Sequence, residues 1–82
     1  MSGWTDDLAQ ALGVRALDGS QETSLLRASR EVAHRVERKE TPLSAYLLGV
    51  AAGTMIAAGA TPSEAFGSAI ETLLAALPPA QP

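Results

Sequence analysis

The distribution of charge around Thr41-Pro42 constrains this chain more than any other feature of its sequence. Five of the six Lys and Arg residues lie in one stretch before this dipeptide: Arg27, Arg30, Arg35, Arg38 and Lys39. From Pro42 to Ser63 there is no charged residue. A residue before proline is disfavoured in the helical region, whereas proline suits the first turn of a helix. We therefore predict that a charged helix ends here and an uncharged one begins, with Thr41 as its N-cap.

Apolar residues at helical spacing, together with caps and stop signals, predict an all-α fold with four helices. The chain has no cysteine and only one Trp, one Tyr and one Phe, and small aliphatic residues favour close-packed helices over a sheet. A chain of 82 residues is predicted to form one domain, 1–82, folded as a compact bundle. Its end, 78–82, is predicted to be a disordered tail. The predicted helices span 6–12, 21–39, 42–58 and 62–77. Thr5 is the predicted N-cap of the first helix and Gly13 its stop, and Thr61 and Glu64 are predicted to form a capping box at the start of the last.

Small residues recur every four positions along the predicted third helix: Ala45, Gly49, Gly53 and Ala57. Each interior glycine costs a helix about 1 kcal/mol relative to alanine, so close packing is expected to offset that cost. We therefore predict that this helix is the buried one and that the second or fourth helix packs into its small-residue stripe. The alternative is a soluble homodimer formed through the same surface.

The uncharged segment also raises the possibility of a membrane span. About two thirds of Pro42–Ser63 is Ala, Gly, Ser, Thr or Pro, and Gly59 and Pro62 interrupt it, so its hydrophobic strength is too low. Residues 1–12 contain Asp6 and Asp7 and lack the pattern of a secretory signal. We expect a cytoplasmic protein with no membrane segment.

The sequence offers no arrangement of residues for catalysis, and we predict that the chain is not an enzyme. His34 is the only histidine, and no candidate nucleophile shares its face of the predicted helix. Neither a phosphate-binding nor a dinucleotide-binding glycine motif is present. One histidine without further converging ligands does not make a metal site, so neither a metal nor a cofactor is predicted.

The charged face of the second helix is the predicted binding surface for a protein partner, through Arg30, Glu31, His34 and Arg38. The simpler interpretation is a solvated helix face, and His34 in particular is expected to be a solvated side chain. A weak anionic-ligand site at the start of the third helix, beside Arg38 and Lys39, is a further hypothesis. Binding of nucleic acid to the Arg27–Lys39 face is not favoured, because Glu31 and Glu37 share this stretch and the net charge is −3.

Three runs of residues carry a resemblance to a known family: Arg30-Glu31-Val32-Ala33-His34, Val36-Glu37-Arg38 and Thr41 to Gly53. Together with Trp4, Leu8 and Ala11 to Gly13, they resemble a small actinobacterial domain of unknown function. Members of that family occur alone or at the C-terminus of proteins similar to molybdenum-cofactor guanylyltransferases. The resemblance implies an accessory role with molybdopterin guanine dinucleotide, and a guanylyltransferase or a molybdoenzyme as partner. It implies no catalytic residue. Arg35 stands where the family pattern leads us to expect glycine.

Overall fold

A computed structural model describes residues 3–80. These residues form four α-helices and no strand: α1 (Trp4–Leu12), α2 (Gly19–Arg35), α3 (Glu40–Ala57) and α4 (Pro62–Ala76). The predicted all-α fold with four helices is confirmed. The last three helices pack against one another in all three pairings and form the body of the molecule.

Two of the helices begin at complete capping boxes. The Asp18 carboxylate accepts a hydrogen bond from the Gln21 backbone N–H at 2.8 Å, and the Gln21 side chain accepts one from the Asp18 N–H at 3.1 Å. Thr61 and Glu64 make the same reciprocal pair before α4, at 3.1 and 3.0 Å. Such boxes satisfy backbone donors that a helix start leaves free, which is why both starts are sharp. The cap at Thr61 was predicted, whereas α2 begins two residues earlier than expected.

The junction between α2 and α3 differs from the prediction. α2 ends at Arg35 rather than 39, and α3 begins at Glu40 rather than at Pro42, with Lys39 as an N-cap that has no side-chain hydrogen bond. The prediction that Thr41 caps α3 is therefore wrong. Pro42 occupies the third helical position, which needs no intrahelical N–H bond, so proline costs nothing there. The Thr41 hydroxyl is instead buried, with no hydrogen-bond partner within the described chain.

The core lies between α2, α3 and α4, and it is made of small side chains. Ala28, Leu48, Ala69 and Ile70 form its buried centre, and larger residues such as Phe66 pack around it only partly buried. Ala65 on α4 is completely buried and Ala28 is 1% exposed, which indicates that helix backbones approach closely at these points. No large side chain among residues 3–80 is fully buried. The hydrophobic stabilisation of this fold therefore comes from a thin core.

The helix α3 is not the buried helix that its composition predicted. Leu48 is its one buried residue, with Ala52 and Met55 half-buried on the same side. The opposite side faces solvent along the whole helix. The reason is geometric: three helices in a triangle each cover one side of their neighbours, and no fourth helix lies over the outer side of α3.

The first helix stands apart from this triangle, because no Cα atom of α1 lies within 8 Å of a Cα atom in another helix. It begins at Trp4 after Gly3, so the predicted start at Asp6 with Thr5 as N-cap is wrong. Its predicted end at Gly13 is confirmed, and Gly13 adopts the left-handed conformation (φ 71°) that favours glycine.

The end of the chain is attached at one point. Arg35 Nε donates a hydrogen bond to the Pro78 carbonyl oxygen at 2.9 Å, while its Nη1 forms an ion pair with Glu31 at 3.2 Å. The first residue of the predicted disordered tail, 78–82, is thus held against α2. Gln81 and Pro82 lie outside the described residues.

Candidate protein-interaction surface

The outer face of α3 is the side of this helix that points away from α2 and α4. Its seven residues are all exposed: Leu43, Tyr46, Leu47, Val50, Gly53, Thr54 and Ala57. The four large side chains among them are between 50% and 72% exposed. Positions spaced by three and four lie on one side of a helix, so these residues form a continuous stripe. An apolar stripe of this kind on a small protein is typical of an interaction site.

The small-residue stripe on α3 lies along this exposed side rather than inside the bundle. Gly49, Gly53 and Ala57 are exposed and Ala45 is half-buried. A Cβ atom added to either glycine would have no neighbouring atom within 4 Å. The prediction that α2 or α4 packs into this stripe is therefore wrong. The neighbouring helices instead contact the side of α3 that carries Leu48, Ala52 and Met55.

A groove runs beside the outer face, between α3 and α4, and the end of α2 closes one end of it. We call it the α3/α4 groove. Its volume is about 370 Å³. Its lining is apolar except for Glu40, Ser44 and Thr72, and Leu47 belongs both to the groove and to the outer face of α3. The other residues that line it are Val32, Val36, Leu48, Ala51, Met55, Ala69, Leu73, Ala76 and Leu77.

The four predicted partner-binding residues do not all lie on α2. Arg30 and His34 are exposed on α2, while Glu31 is half-buried and paired with Arg35. Arg38 lies beyond the end of α2, in the turn that leads to α3, and is also exposed. The prediction that Arg38 shares a helix face with the other three assumed that the second helix extends to residue 39. The role of these residues in binding stays a prediction.

Ion pairing leaves the cationic surface only partly neutralised. Within the described part of the chain, Arg35 pairs with Glu31 and Lys39 with Glu37, at 3.2 and 3.8 Å. Arg27, Arg30 and Arg38 have no carboxylate of residues 3–80 within 4 Å. These three guanidinium groups therefore give the outer side of α2 and the following turn a net positive charge.

The start of α3 lacks the free backbone donors on which an anion site was predicted. The N–H of Glu40 donates to the Glu37 carbonyl and that of Thr41 donates to the Arg38 carbonyl, both at 3.1 Å. Pro42 has no N–H group. The Glu40 carboxylate also places a negative charge in this first turn. The hypothesis of an anionic-ligand site here is therefore not supported by the geometry.

The exposed apolar surface was missed at the sequence level, although a signal for it was present. After Glu40, α3 contains no charged residue, and this pattern predicts a buried helix. A chain of 82 residues cannot surround an 18-residue helix with its remaining helices. An uncharged helix in so short a chain must expose apolar surface.

Two further observations bear on what this surface can do chemically. Among residues 3–80, no group of three His, Asp or Glu side chains converges as metal ligands would. None of the described helices combines the length and the hydropathy that crossing a membrane requires. The α3/α4 groove has an almost wholly apolar lining, whose chemistry suits the binding of apolar side chains.

Comparison with known proteins identifies the chain at the level of a family. No curated protein and no solved structure matches it. A family model does, and it covers residues 1–82. The chain belongs to the family described as domain of unknown function (DUF6457).

Proposed function

We propose that this chain is a non-catalytic interaction module that binds an apolar segment of another protein in the α3/α4 groove. The observation that carries the proposal is the groove itself, which is open to solvent, about 370 Å³ in volume and almost wholly apolar in its lining. Leaving such a surface in water costs free energy of about 25 cal/mol for each Å² that a partner could cover. A partner with matching apolar side chains therefore gains free energy by binding there.

An amphipathic helix fits the shape of the groove. The α3 wall extends from Glu40 to Met55, and at 1.5 Å per residue this corresponds to about 22 Å, or four helical turns. The groove between two helices accepts a third when apolar side chains recur on one side of it. The partner would present large apolar residues toward Leu47 and Leu73 and keep its polar side in solvent.

The cationic surface supports a preference for acidic flanking residues on the partner. Val36 lines the groove, and Arg38 follows it by two residues in the exposed turn. Arg38 and Arg30 lack ion pairs within the described chain, so they are available to acidic groups. Exposed pairs of this kind add little affinity but raise association rates and select against basic partners.

The cellular role that we propose is an accessory one in the making or handling of molybdopterin guanine dinucleotide. Its support is the resemblance carried by residues 30–53, whose family occurs fused to proteins similar to molybdenum-cofactor guanylyltransferases. The partner would then be such a guanylyltransferase or a molybdoenzyme. Domains found as fusions often act on the same partner when they occur as separate chains.

The test compares two variants in which an alanine is replaced by glutamate, one on α3 and one on α4. Ala51 is exposed and lines the groove, whereas Ala75 is exposed on α4 and does not. Glutamate has a slightly lower helix propensity than alanine, and this small cost is the same in both variants. In affinity capture from the native host, Ala51→Glu should lose the partner that the wild type and Ala75→Glu retain. Circular dichroism confirms that both variants are folded.

Two results would overturn the proposal at different levels. If Ala51→Glu captures the same proteins as Ala75→Glu, the groove is not the binding site. If the captured set contains no guanylyltransferase-like protein and no molybdoenzyme, the proposed pathway is wrong. Replacing Arg30 and Arg38 together by Ala should slow association with the identified partner, most clearly at low salt.

A further inference from the structure

We infer that the outer face of α3 binds a second copy of this chain, with the two α3 helices antiparallel and crossing at Val50. The face changes in bulk along its length. Its N-terminal half carries Leu43, Tyr46 and Leu47, and its C-terminal half carries Gly53, Thr54 and Ala57. All six are exposed, and Val50 lies between the two halves. A face that is bulky at one end and hollow at the other is complementary to its own reverse.

The antiparallel register follows from the positions of these residues. With a two-fold axis beside Val50, Leu43 meets Ala57 of the other copy, Tyr46 meets Thr54 and Leu47 meets Gly53. Each contact therefore joins one large and one small side chain, as interdigitating helices require. A parallel pair would place the three large residues against each other and the small ones against each other, leaving gaps. Shape thus selects both the occupant and its direction.

The charge pattern also fits a second copy. A two-fold interface uses the same surface of both copies, so a charged residue near the axis would lie close to its own equivalent and be repelled by it. The outer face of α3 avoids this, because residues 41–63 contain no charged side chain. A strongly charged partner would find no complement on this face, whereas an identical neutral face matches it.

The exposed area is sufficient for a weak dimer. Taking a large apolar side chain as roughly 150–200 Å², the exposed parts of Leu43, Tyr46, Leu47 and Val50 amount to on the order of 400 Å² in each chain. The two copies together would bury about twice this area, and the backbone along the small half of the face would add to it. That total is below the roughly 1,200 Å² of stable specific interfaces and falls in the range of weak, transient association. We therefore expect a dimer that dissociates on dilution.

The two glycines on this side of α3 have no use within a single chain. Glycine in a helix interior weakens the helix, and no atom of the described residues occupies the space that Gly49 and Gly53 leave open. A second α3 could approach closely at Gly53 and so make use of the missing side chain. The outer face and the α3/α4 groove are adjacent but distinct, so a dimer would leave most of the groove accessible.

The first experiment measures association by sedimentation over a wide range of concentrations. The wild type should pass from monomer to dimer as concentration rises. Val50→Glu should weaken dimerisation at least tenfold, because it places two carboxylates together at the axis. Gly53→Leu should also weaken it by filling the space for Leu47, and adding Leu47→Ala to Gly53→Leu should restore it. Arg27→Glu, on the exposed side of α2, serves as the control and should leave it unchanged.

The second experiment tests the direction of the helices by cross-linking. The chain has no cysteine, so single substitutions give unambiguous products. Val50→Cys should form a disulfide-linked dimer under mild oxidation, since residues at the axis approach within the Cα distance that a disulfide needs. Leu43→Cys should cross-link only when mixed with Ala57→Cys. Leu26→Cys, exposed on α2, is the control and should remain monomeric.

The outcomes separate this inference from the proposed function. A strict monomer at all concentrations, or cross-linking of Leu43→Cys with itself, overturns the antiparallel dimer. Neither result changes the comparison of Ala51→Glu with Ala75→Glu, which tests the groove alone. Conversely, Val50→Glu should still capture the groove partner. A stable dimer whose groove variants capture the same proteins would support the inference while refuting the proposed function.

Discussion

The helices α3 and α4 carry similar local sequences and use them in opposite ways. Both contain a Thr-Pro dipeptide near their start, Thr41-Pro42 and Thr61-Pro62, and both have small residues spaced four apart. In α4 the threonine caps the helix, and Ala65 and Ala69 are buried in the core. In α3 the threonine lies inside the first turn and the small residues face solvent. The same motif therefore indicates a helix without indicating its environment.

The difference at the two helix starts has a local cause. Three residues after Thr61 stands Glu64, which completes the capping box, whereas three residues after Thr41 stands Ser44. The Ser44 hydroxyl donates to the Glu40 carbonyl at 2.8 Å instead of reaching back to Thr41. Without the reciprocal pair, the helix extends backward into the turn, where Glu37 and Arg38 accept the first N–H groups. A capping box is thus a more reliable signal than its threonine alone.

The largest expected change in the free energy of unfolding distinguishes substitutions on the two sides of α3. Leu48→Ala removes the one buried residue of this helix and should lower the free energy of unfolding by about 2–5 kcal/mol. Leu47→Ala, one position away and 67% exposed, should change it by less than about 1 kcal/mol at a concentration where the chain is monomeric. Chemical denaturation of the two variants measures the difference. Equal losses would mean that the outer side of α3 is covered within one chain.

The next largest change in stability is expected to differ between the small residues of α4 and those of α3. Ala65→Leu places a large side chain at a completely buried position of α4 and should destabilise the fold by roughly 1–3 kcal/mol. Gly49→Ala on α3 should stabilise it by up to about 1 kcal/mol, because alanine favours the helix and its Cβ meets nothing. Thermal unfolding provides the measurement. A loss of stability in Gly49→Ala would contradict the open environment of this glycine.

A smaller difference in the free energy of unfolding is expected between substitutions of the two threonines. Thr61→Ala should cost about 1 kcal/mol, because α4 loses its N-cap. Thr41→Val should cost nothing and should stabilise the fold by up to about 1 kcal/mol, because it removes a buried hydroxyl without a partner while keeping the shape of the side chain. If Thr41→Val were as destabilising as Thr61→Ala, Thr41 would be a cap after all.

The smallest expected effect is a dependence of stability on pH at the start of α4. The backbone N–H of Thr61, and secondarily its hydroxyl, lower the pKa of Glu64 below its ordinary value of 4.5. A lowered pKa contributes stability that is fully present above about pH 4.5 and is lost as the pH falls through the folded-state value. The stability difference between the wild type and Glu64→Gln should therefore shrink below pH 4.5. Denaturation across this range tests it, and a constant difference would refute it.

Prediction from sequence succeeded where neighbouring residues decide the outcome. The four helices, the box at Thr61 and the glycine stop at Gly13 all follow from contacts within one turn of chain. The predicted end of α2 was wrong, because Arg38 and Lys39 are compatible both with the last turn of a helix and with a non-helical turn after it. The separation of Arg38 from Arg30 and His34 is a consequence of that error.

Local sequence accounts for the formation of helices, for the ends of three of them and for a charge distribution in which all six Lys and Arg residues precede Thr41. Those properties depend on backbone hydrogen bonds and on the identity of nearby residues. The side of α3 that is buried, in contrast, depends on how the other helices pack against it. Large and small apolar residues surround that helix on all sides, so its periodicity favours no direction, and the positions of α2 and α4 select the side of Leu48. The uncharged helix that begins beside Thr41-Pro42 is consequently half core and half exposed surface.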